Sequence, residues 1–175
     1  SIGIRNPAIT GNYRISVETE TSTGSTIDSE VNSNPFFISP ATSTITTPSV
    51  ALSDSRTSGD GGTNVTYTFR FSVGDNGRLI SGTSQLVFIF PSGTTVPGSP
   101  TTVVNGTSAT AAGSGDTVRV TLPGTVSIKN NDTLNVQIGD IDNPATASSY
   151  NVVAYTTVET DEVPSTSYGI GTPID

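Results

Sequence analysis

The chain has 175 residues, including 24 serines, 30 threonines and 18 glycines, and it contains no cysteine, histidine, methionine or tryptophan. Its formal net charge of −8 disfavours binding to nucleic acid or to anionic lipid. The missing histidine and cysteine exclude Ser-His-Asp and Cys-His nucleophiles as well as zinc, haem and iron–sulfur ligand sets. Valine and isoleucine number 31 against five leucines, which favours an all-β fold.

The first element along the chain is part of a repeat. Residues 4–8 read Ile-Arg-Asn-Pro-Ala, and residues 141–145 read Ile-Asp-Asn-Pro-Ala; Tyr13 and Tyr150 then follow at the same offset. Both copies continue through a strand pattern, a serine-rich turn and a short segment of an aromatic residue and isoleucine. We therefore predict three parts: a partial module at residues 1–40, a threonine-rich linker at residues 41–48, and a complete module at residues 49–175.

Alternating patterns predict the strands of the complete module. Residues 65–73 alternate apolar and polar side chains, as do residues 117–122 and 133–138, whereas residues 86–90 are apolar on both faces, as in a central strand. Turns rich in Gly, Asn and Asp separate these segments. The spacing predicts an antiparallel immunoglobulin-like β-sandwich, with an incomplete extra β-hairpin module at the N-terminus. We expect a core formed by positions 65, 67, 69, 71, 73, 86, 88, 90, 118, 120, 134, 136, 150 and 152.

The sequence also bears on processing and location. The chain begins at Ser1 and contains no methionine, so we expect either a mature protein whose leader was removed or a piece of a longer one. A composition rich in Ser, Thr, Gly and Asn, acidic and poor in Lys is common on cell surfaces. No apolar run approaches the roughly 20 residues that a membrane-spanning helix needs, so we predict an extracellular protein without membrane insertion.

Three Asn-x-Thr sequons begin at Asn64, Asn105 and Asn131. Such sequons are acceptors for N-linked glycans, which makes these three asparagines candidate glycosylation sites. A chain this rich in Asn and Thr also produces sequons by chance.

Oxygen ligands for calcium are densest at residues 139–143, Gly-Asp-Ile-Asp-Asn. The matching positions 2–6 lack both carboxylates, so a turn shared by the two copies explains the Asn-Pro motif without a metal. No pair of carboxylates is spaced for glycoside hydrolysis. We expect no enzymatic activity and no cofactor, and calcium is the one ion that the sequence admits.

These motifs resemble those of bacterial tandem-repeat immunoglobulin-like cell-surface proteins, of the surface-layer, adhesin-stalk or filament type. The resemblance rests on residues 64–73, 92–97 and 126–138 and on the repeated Ile-x-Asn-Pro-Ala. It implies a non-enzymatic structural subunit or module of an extracellular assembly: a filament, a sheath or a surface layer. The alternative is an adhesion module for a carbohydrate or host protein, for which Tyr155 and Tyr168 are the remaining aromatic platforms.

Assembly is predicted to involve the partial module. Tyr13, Ile15 and Val17 form an apolar strand face that needs a cover, and the strand edges need partners. Strand addition provides both, and we expect the partner to be another copy of the chain, joined head-to-tail into an open filament. The alternatives are a preceding part of the same polypeptide, or folding back onto its own complete module. The predicted assembly residues are Tyr13, Ile15, Val17, Phe36, Phe37 and Ile38.

Overall fold

The computed structural model describes residues 11–38 and 44–171, and the chain divides into two compact units after Ala41. The predicted all-β class is confirmed: the one helical segment among the described residues is a single 3-10 turn at Ser58–Asp60. None of the described helical segments is long and apolar enough to cross a membrane.

The first unit consists of two antiparallel strand pairs, one continuing the other. Strand β2 pairs with β3 to form an inner hairpin, and β1 pairs with β4 outside it. The turn between β2 and β3 contains Gly24 with a positive φ of 80°, a conformation that glycine adopts without steric cost. The strands are β1 (Gly11–Tyr13), β2 (Ser16–Glu20), β3 (Thr26–Asn32) and β4 (Phe36–Ile38).

The second unit is built on a nine-stranded antiparallel sheet of order β14-β13-β7-β10-β9-β8-β11-β6-β5, with β12 and β15 forming a separate pair. Its strands are β5 (Ser49–Leu52), β6 (Val65–Ser72), β7 (Gln85–Ile89), β8 (Thr102–Val104), β9 (Thr107–Ser114), β10 (Thr117–Thr121), β11 (Thr133–Ile141), β12 (Ser148–Tyr150), β13 (Val153–Thr156), β14 (Val163–Pro164) and β15 (Tyr168–Ile170).

This sheet curls over so that its two halves face each other across one core. Phe69 of β6 and Phe88 of β7 are far apart in the strand order, yet their ring centroids lie 4.6 Å apart. Contact between such distant strands requires the sheet to fold into two layers, as predicted for a sandwich. All the predicted core positions are buried except Tyr150, which is half-buried.

The two ends of the sheet are brought together rather than left open. Edge strand β14 has only two residues, one of them Pro164, which protects an edge from further pairing. The amide of Thr166 donates to the carbonyl of Pro48 at 2.8 Å. Gly171 forms a parallel bridge with Arg56, flanked by bonds to Ser55 and Thr57 at 2.9 and 3.0 Å.

Part of the predicted linker belongs to this second unit. Ile45 and Pro48 are buried, and Thr46 exchanges two hydrogen bonds with Ser72 at 2.9 and 2.8 Å. The linker therefore does not extend to residue 48, because residues 44–48 form the first edge of the sandwich core. Residues 41–43 of the predicted linker, and the motif at residues 4–8, lie outside the described residues.

Candidate functional site

Two segments share one strand arrangement, and we call residues 11–38 the open hairpin and residues 148–170 the terminal hairpin. In the open hairpin β1 pairs with β4 so that Tyr13 faces Phe36; in the terminal hairpin β12 pairs with β15 so that Tyr150 faces Tyr168. The ring centroids of these two pairs are 6.5 and 6.3 Å apart, at interplanar angles of 35° and 37°. The inner pairs β2–β3 and β13–β14 correspond in the same way.

A serine locks each hairpin with the same hydrogen bonds. Ser33 donates its amide to the carbonyl of Ile15 at 2.8 Å and accepts the amide of Ile15 on its hydroxyl at 3.0 Å. Ser165 makes the same two bonds with Val152, at 2.8 and 3.0 Å. Each serine hydroxyl then donates to the carbonyl of the following residue. The two serine contacts fix the alignment, so that Ile15 corresponds to Val152.

The same alignment matches Val17 with Ala154, and at this face the hairpins differ in burial. Val152 and Ala154 are 0% and 1% exposed, since they are part of the sandwich core. Ile15 and Val17 are 60% and 64% exposed, and Val31, which pairs directly with Val17, is 68% exposed. The open hairpin therefore presents an apolar face whose counterpart in the complete module is covered.

The strand edges differ as well. β13 of the terminal hairpin pairs on its second edge with the central strand β7, so that Val153 faces Ile89 and Ala154 faces Phe88. The equivalent strand β2 pairs only with β3 among the described residues. Its second edge lacks the strand that β7 provides in the complete module, and unpaired edges of this kind accept added strands.

The six predicted assembly residues differ in exposure. Ile15, Val17, Phe36 and Phe37 are exposed, whereas Tyr13 and Ile38 are half-buried. The β1–β4 register places Phe36 and Ile38 on one face and Phe37 on the other, because alternate residues of a strand point to opposite sides. Their role in assembly stays a prediction.

The three sequon asparagines share a backbone feature. Asn64, Asn105 and Asn131 have φ values of 54°, 48° and 65° and are exposed. Asparagine adopts this left-handed conformation more readily than most residues, so the turns alone account for its presence at all three sites. Glycosylation there stays a prediction.

The acidic segment proposed for calcium is engaged in hydrogen bonds within the protein. Thr101 donates its amide and hydroxyl to Asp140 Oδ2 at 3.0 and 2.5 Å, and these bonds hold the pKa of Asp140 below its usual range. Asp142 Oδ1 accepts the amide of Asn64 at 3.0 Å. The described part of the chain contains no group of three acidic residues arranged to hold a metal ion. The expectation of no cofactor, with calcium as the one ion that the sequence admits, stays a prediction.

Asn143 is a buried residue whose structural role the sequence analysis missed. Its side-chain amide donates to the carbonyls of Asp54 and Arg56 at 3.0 and 2.7 Å, its Oδ1 accepts the hydroxyl of Tyr67 at 2.7 Å, and its backbone amide donates to Gly62 at 2.9 Å. It therefore ties the loop after β5 to the start of β6. The recurrence of Asn-Pro in both copies was the available signal, but a turn alone explained it.

Two further predictions bear on ligand binding. Tyr168 is only 8% exposed, so its assignment as an exposed aromatic platform is wrong; its ring packs edge-on to Tyr67, with centroids 5.6 Å apart. Tyr155 is half-buried.

Glu159 is buried, and both of its carboxylate oxygens accept the amide of Gly74, at 3.0 and 3.1 Å, which gives this carboxylate a structural partner.

The fold is therefore that of an antiparallel β-sandwich accompanied by a second, uncovered copy of its terminal strand pairs. No protein-family model matches the chain, and no curated protein does either. Among solved structures it is similar to BcpA, the major pilin subunit of Bacillus cereus, with a TM-score of 0.47 and 12% identity over 94% of this chain. A variant of that pilin gives a TM-score of 0.45 and 10% identity over 91% of this chain. The chain spans about half of each pilin, 55% and 48%.

Proposed function

We propose that the protein is a non-enzymatic structural module of an extracellular cell-surface assembly, in which neighbouring modules are joined by β-strand complementation. The open hairpin supplies the terminal strands, and a neighbouring module of the same type supplies the strand and the core layer that complete it. One observation carries the proposal: the same strand arrangement, locked by Ser33 and Ser165, occurs once covered and once uncovered.

The physical argument is that an uncovered hairpin of this kind is costly. A two-stranded hairpin by itself is marginal in water. Ile15, Val17 and Val31 expose apolar surface that stabilises the fold when it is removed from water, by about 25 cal/mol per Å². Main-chain hydrogen bonds along the second edge of β2 would fix the register of an added strand. Like modules arranged head-to-tail extend without closing, which suits a filament or sheath.

Support for the cell surface comes from the acidic, Ser/Thr-rich composition and the net charge of −8. The adhesion alternative has lost one of its two aromatic platforms, because Tyr168 is buried, and the other, Tyr155, is half-buried.

The test supplies the missing part of a module in the same polypeptide. We call residues 44–145 the module body; joined directly ahead of residue 9, it restores the spacing found between the body and the terminal hairpin. We expect the amides of Ser16–Glu20 to exchange with solvent much more slowly in this fusion than in the 175-residue chain, measured by hydrogen exchange. The control fusion carries Val17→Asp, which cannot be buried without a large penalty and should remain unprotected. Equal exchange in the parent chain and in this fusion, also when the open hairpin carries the side chains of the terminal hairpin (Ile15→Val, Val17→Ala), would contradict strand complementation.

A further inference from the structure

The open and terminal hairpins differ in the volume of the side chains that face the core. The serine contacts align Ile15 with Val152 and Val17 with Ala154, so the open hairpin is larger by one carbon at the first position and by two at the second. At the neighbouring paired position the two hairpins are identical, because Val31 faces Val17 and Val163 faces Ala154. Around this pair of positions, the difference in volume therefore lies on β2 and β13, and β13 is the strand that borders β7.

The site that holds Ala154 is closed to solvent and borders a large aromatic side chain, so we expect it to resist extra carbons. Ala154 is 1% exposed and lies directly opposite Phe88 of β7, and Phe88 in turn packs against Phe69 with centroids 4.6 Å apart. Extra methyl groups in a close-packed core force side chains off their rotamers and shift the backbone. The body at residues 44–145 is therefore a poor receptor for the open hairpin.

A second copy of this chain has a further disadvantage as a receptor. Its β7 is already paired on both edges, with β13 and with β10. Docking the open hairpin there requires the copy to release its own terminal hairpin, which has the better-fitting side chains and is covalently attached at high effective concentration.

We infer that the open hairpin docks on a module body other than residues 44–145, and that the volumes of Ile15 and Val17 select this body. The selected body lacks its own terminal hairpin and carries a residue smaller than phenylalanine opposite Val17. We call this selection by side-chain volume keying. This rests on the proposed function and deepens it. The receiving strand runs antiparallel to β2, in the register that β7 adopts with β13, so that its four residues face Ser16–Thr19. Volume at one cross-strand pair then selects which hairpin enters which body, and it disfavours exchange of hairpins between copies.

The experiment uses the fusion of the module body ahead of residues 9–175, with and without changes at the key positions. A matched fusion carries Ile15→Val and Val17→Ala, which gives the open hairpin the side chains of the terminal one. We expect the amides of Ser16–Glu20 in this matched fusion to exchange at least about tenfold more slowly than in the unaltered fusion, because the smaller side chains relieve overpacking. The control fusion with Val31→Ala removes volume where the two hairpins agree, and it should exchange faster, since it leaves a cavity.

A reciprocal fusion changes the added body instead of the hairpin. Leucine in place of the phenylalanine that corresponds to Phe88 makes room for Val17, so the unaltered hairpin should become better protected. The module at residues 44–171, present in every chain, serves as the internal reference for folding.

The outcomes separate this inference from the proposed function. Protection in the unaltered fusion that neither the matched hairpin nor the leucine body improves would overturn keying and leave strand complementation standing. No protection in any fusion would overturn both. Protection of the same amides in the 175-residue chain alone, rising with protein concentration, would identify a second copy as the occupant and overturn keying by volume.

Discussion

The open hairpin and the terminal hairpin have the same strand pairing, the same aromatic contact between their outer strands and the same serine hydrogen bonds, but opposite environments. Val152 and Ala154 are enclosed, whereas Ile15 and Val17 are more than half exposed. Local sequence therefore determines the hairpin geometry, and the surrounding layers determine whether that geometry buries apolar surface. Stability in β-proteins resides largely in this second step, because isolated hairpins are marginal.

The largest expected effect comes from emptying the shared core of the complete module. Phe88→Ala should lower its free energy of unfolding by about 3–5 kcal/mol, since Phe88 is fully buried against Phe69. Phe37→Ala, in the open hairpin, should leave the same transition unchanged because Phe37 is 61% exposed. Urea denaturation of both variants measures the contrast. Equal losses would show that the open hairpin is part of the same cooperative unit.

A second prediction concerns the aligned positions Val17 and Ala154, and it introduces the larger side chain of the open hairpin into the terminal hairpin. Ala154→Val should destabilise the complete module by about 1–3 kcal/mol through overpacking beside Phe88. Val17→Ala, the reciprocal change in the open hairpin, should alter the module's midpoint in urea little or not at all, because Val17 is exposed. A neutral Ala154→Val variant would mean that the core has room for the larger side chain.

The serine contacts provide a matched pair with a smaller effect. Ser165→Ala removes the acceptor for the buried amide of Val152 and should cost about 1–2 kcal/mol. Ser33→Ala removes the same bond at an exposed site, where water replaces it, and should cost about 0.5 kcal/mol or less in the hydrogen-exchange stability of the open hairpin. If the two serines gave equal costs, burial would not be the source of the difference.

The smallest effect concerns the outer aromatic pair, where Tyr168 stands in the position that Phe36 occupies in the open hairpin. The buried hydroxyl of Tyr168 lies close enough to the hydroxyl of Tyr67 to interact with it but makes no well-formed hydrogen bond among the described residues, so Tyr168→Phe should be neutral or stabilise by up to about 1 kcal/mol at pH 7. Tyr67→Phe, which deprives Asn143 of a donor, should instead destabilise by about 1–3 kcal/mol.

The Tyr168→Phe variant also has a pH signature. Burial raises the pKa of Tyr168 from its ordinary value of 10.0 to about 12. Between these two values the unfolded chain releases the proton while the folded chain retains it, so stability falls as the pH rises through this window. Tyr168→Phe removes this contribution and should flatten the fall, measured by thermal unfolding between pH 9 and pH 12. An unchanged slope would place the titration on another group.

Much of the fold was predictable because the sandwich strands alternate cleanly. Val65, Tyr67 and Phe69 carry the inward face of β6, and each is buried as the pattern requires. The apolar run at residues 86–90 correctly predicted a central strand, paired on both edges. Exposed apolar side chains on the open hairpin also followed from its sequence, because nothing else in the partial repeat supplies a cover.

What the sequence did not reveal depends on long-range contacts of residues that are common in this chain. Ser33 and Ser165 are two of 24 serines, and only the folded structure distinguishes them. Asn143 bonds residues more than 75 positions away, which no local pattern encodes. Ile45 was assigned to a linker because its neighbours are Thr and Pro, yet its side chain is buried in the core.

The way the sheet ends meet has a mechanical consequence. Hydrogen bonds join the segments that flank β5 to the segments that flank β15: Pro48 accepts from Thr166, and Ser55 accepts from Gly171, next to the parallel bridge between Arg56 and Gly171. Tension applied across the second unit pulls the segment before β5 and the segment after β15 in opposite directions. These hydrogen bonds are then loaded in shear and must break together, whereas a peeling force would break them one at a time. We therefore expect a module closed in this way to resist extension by tension.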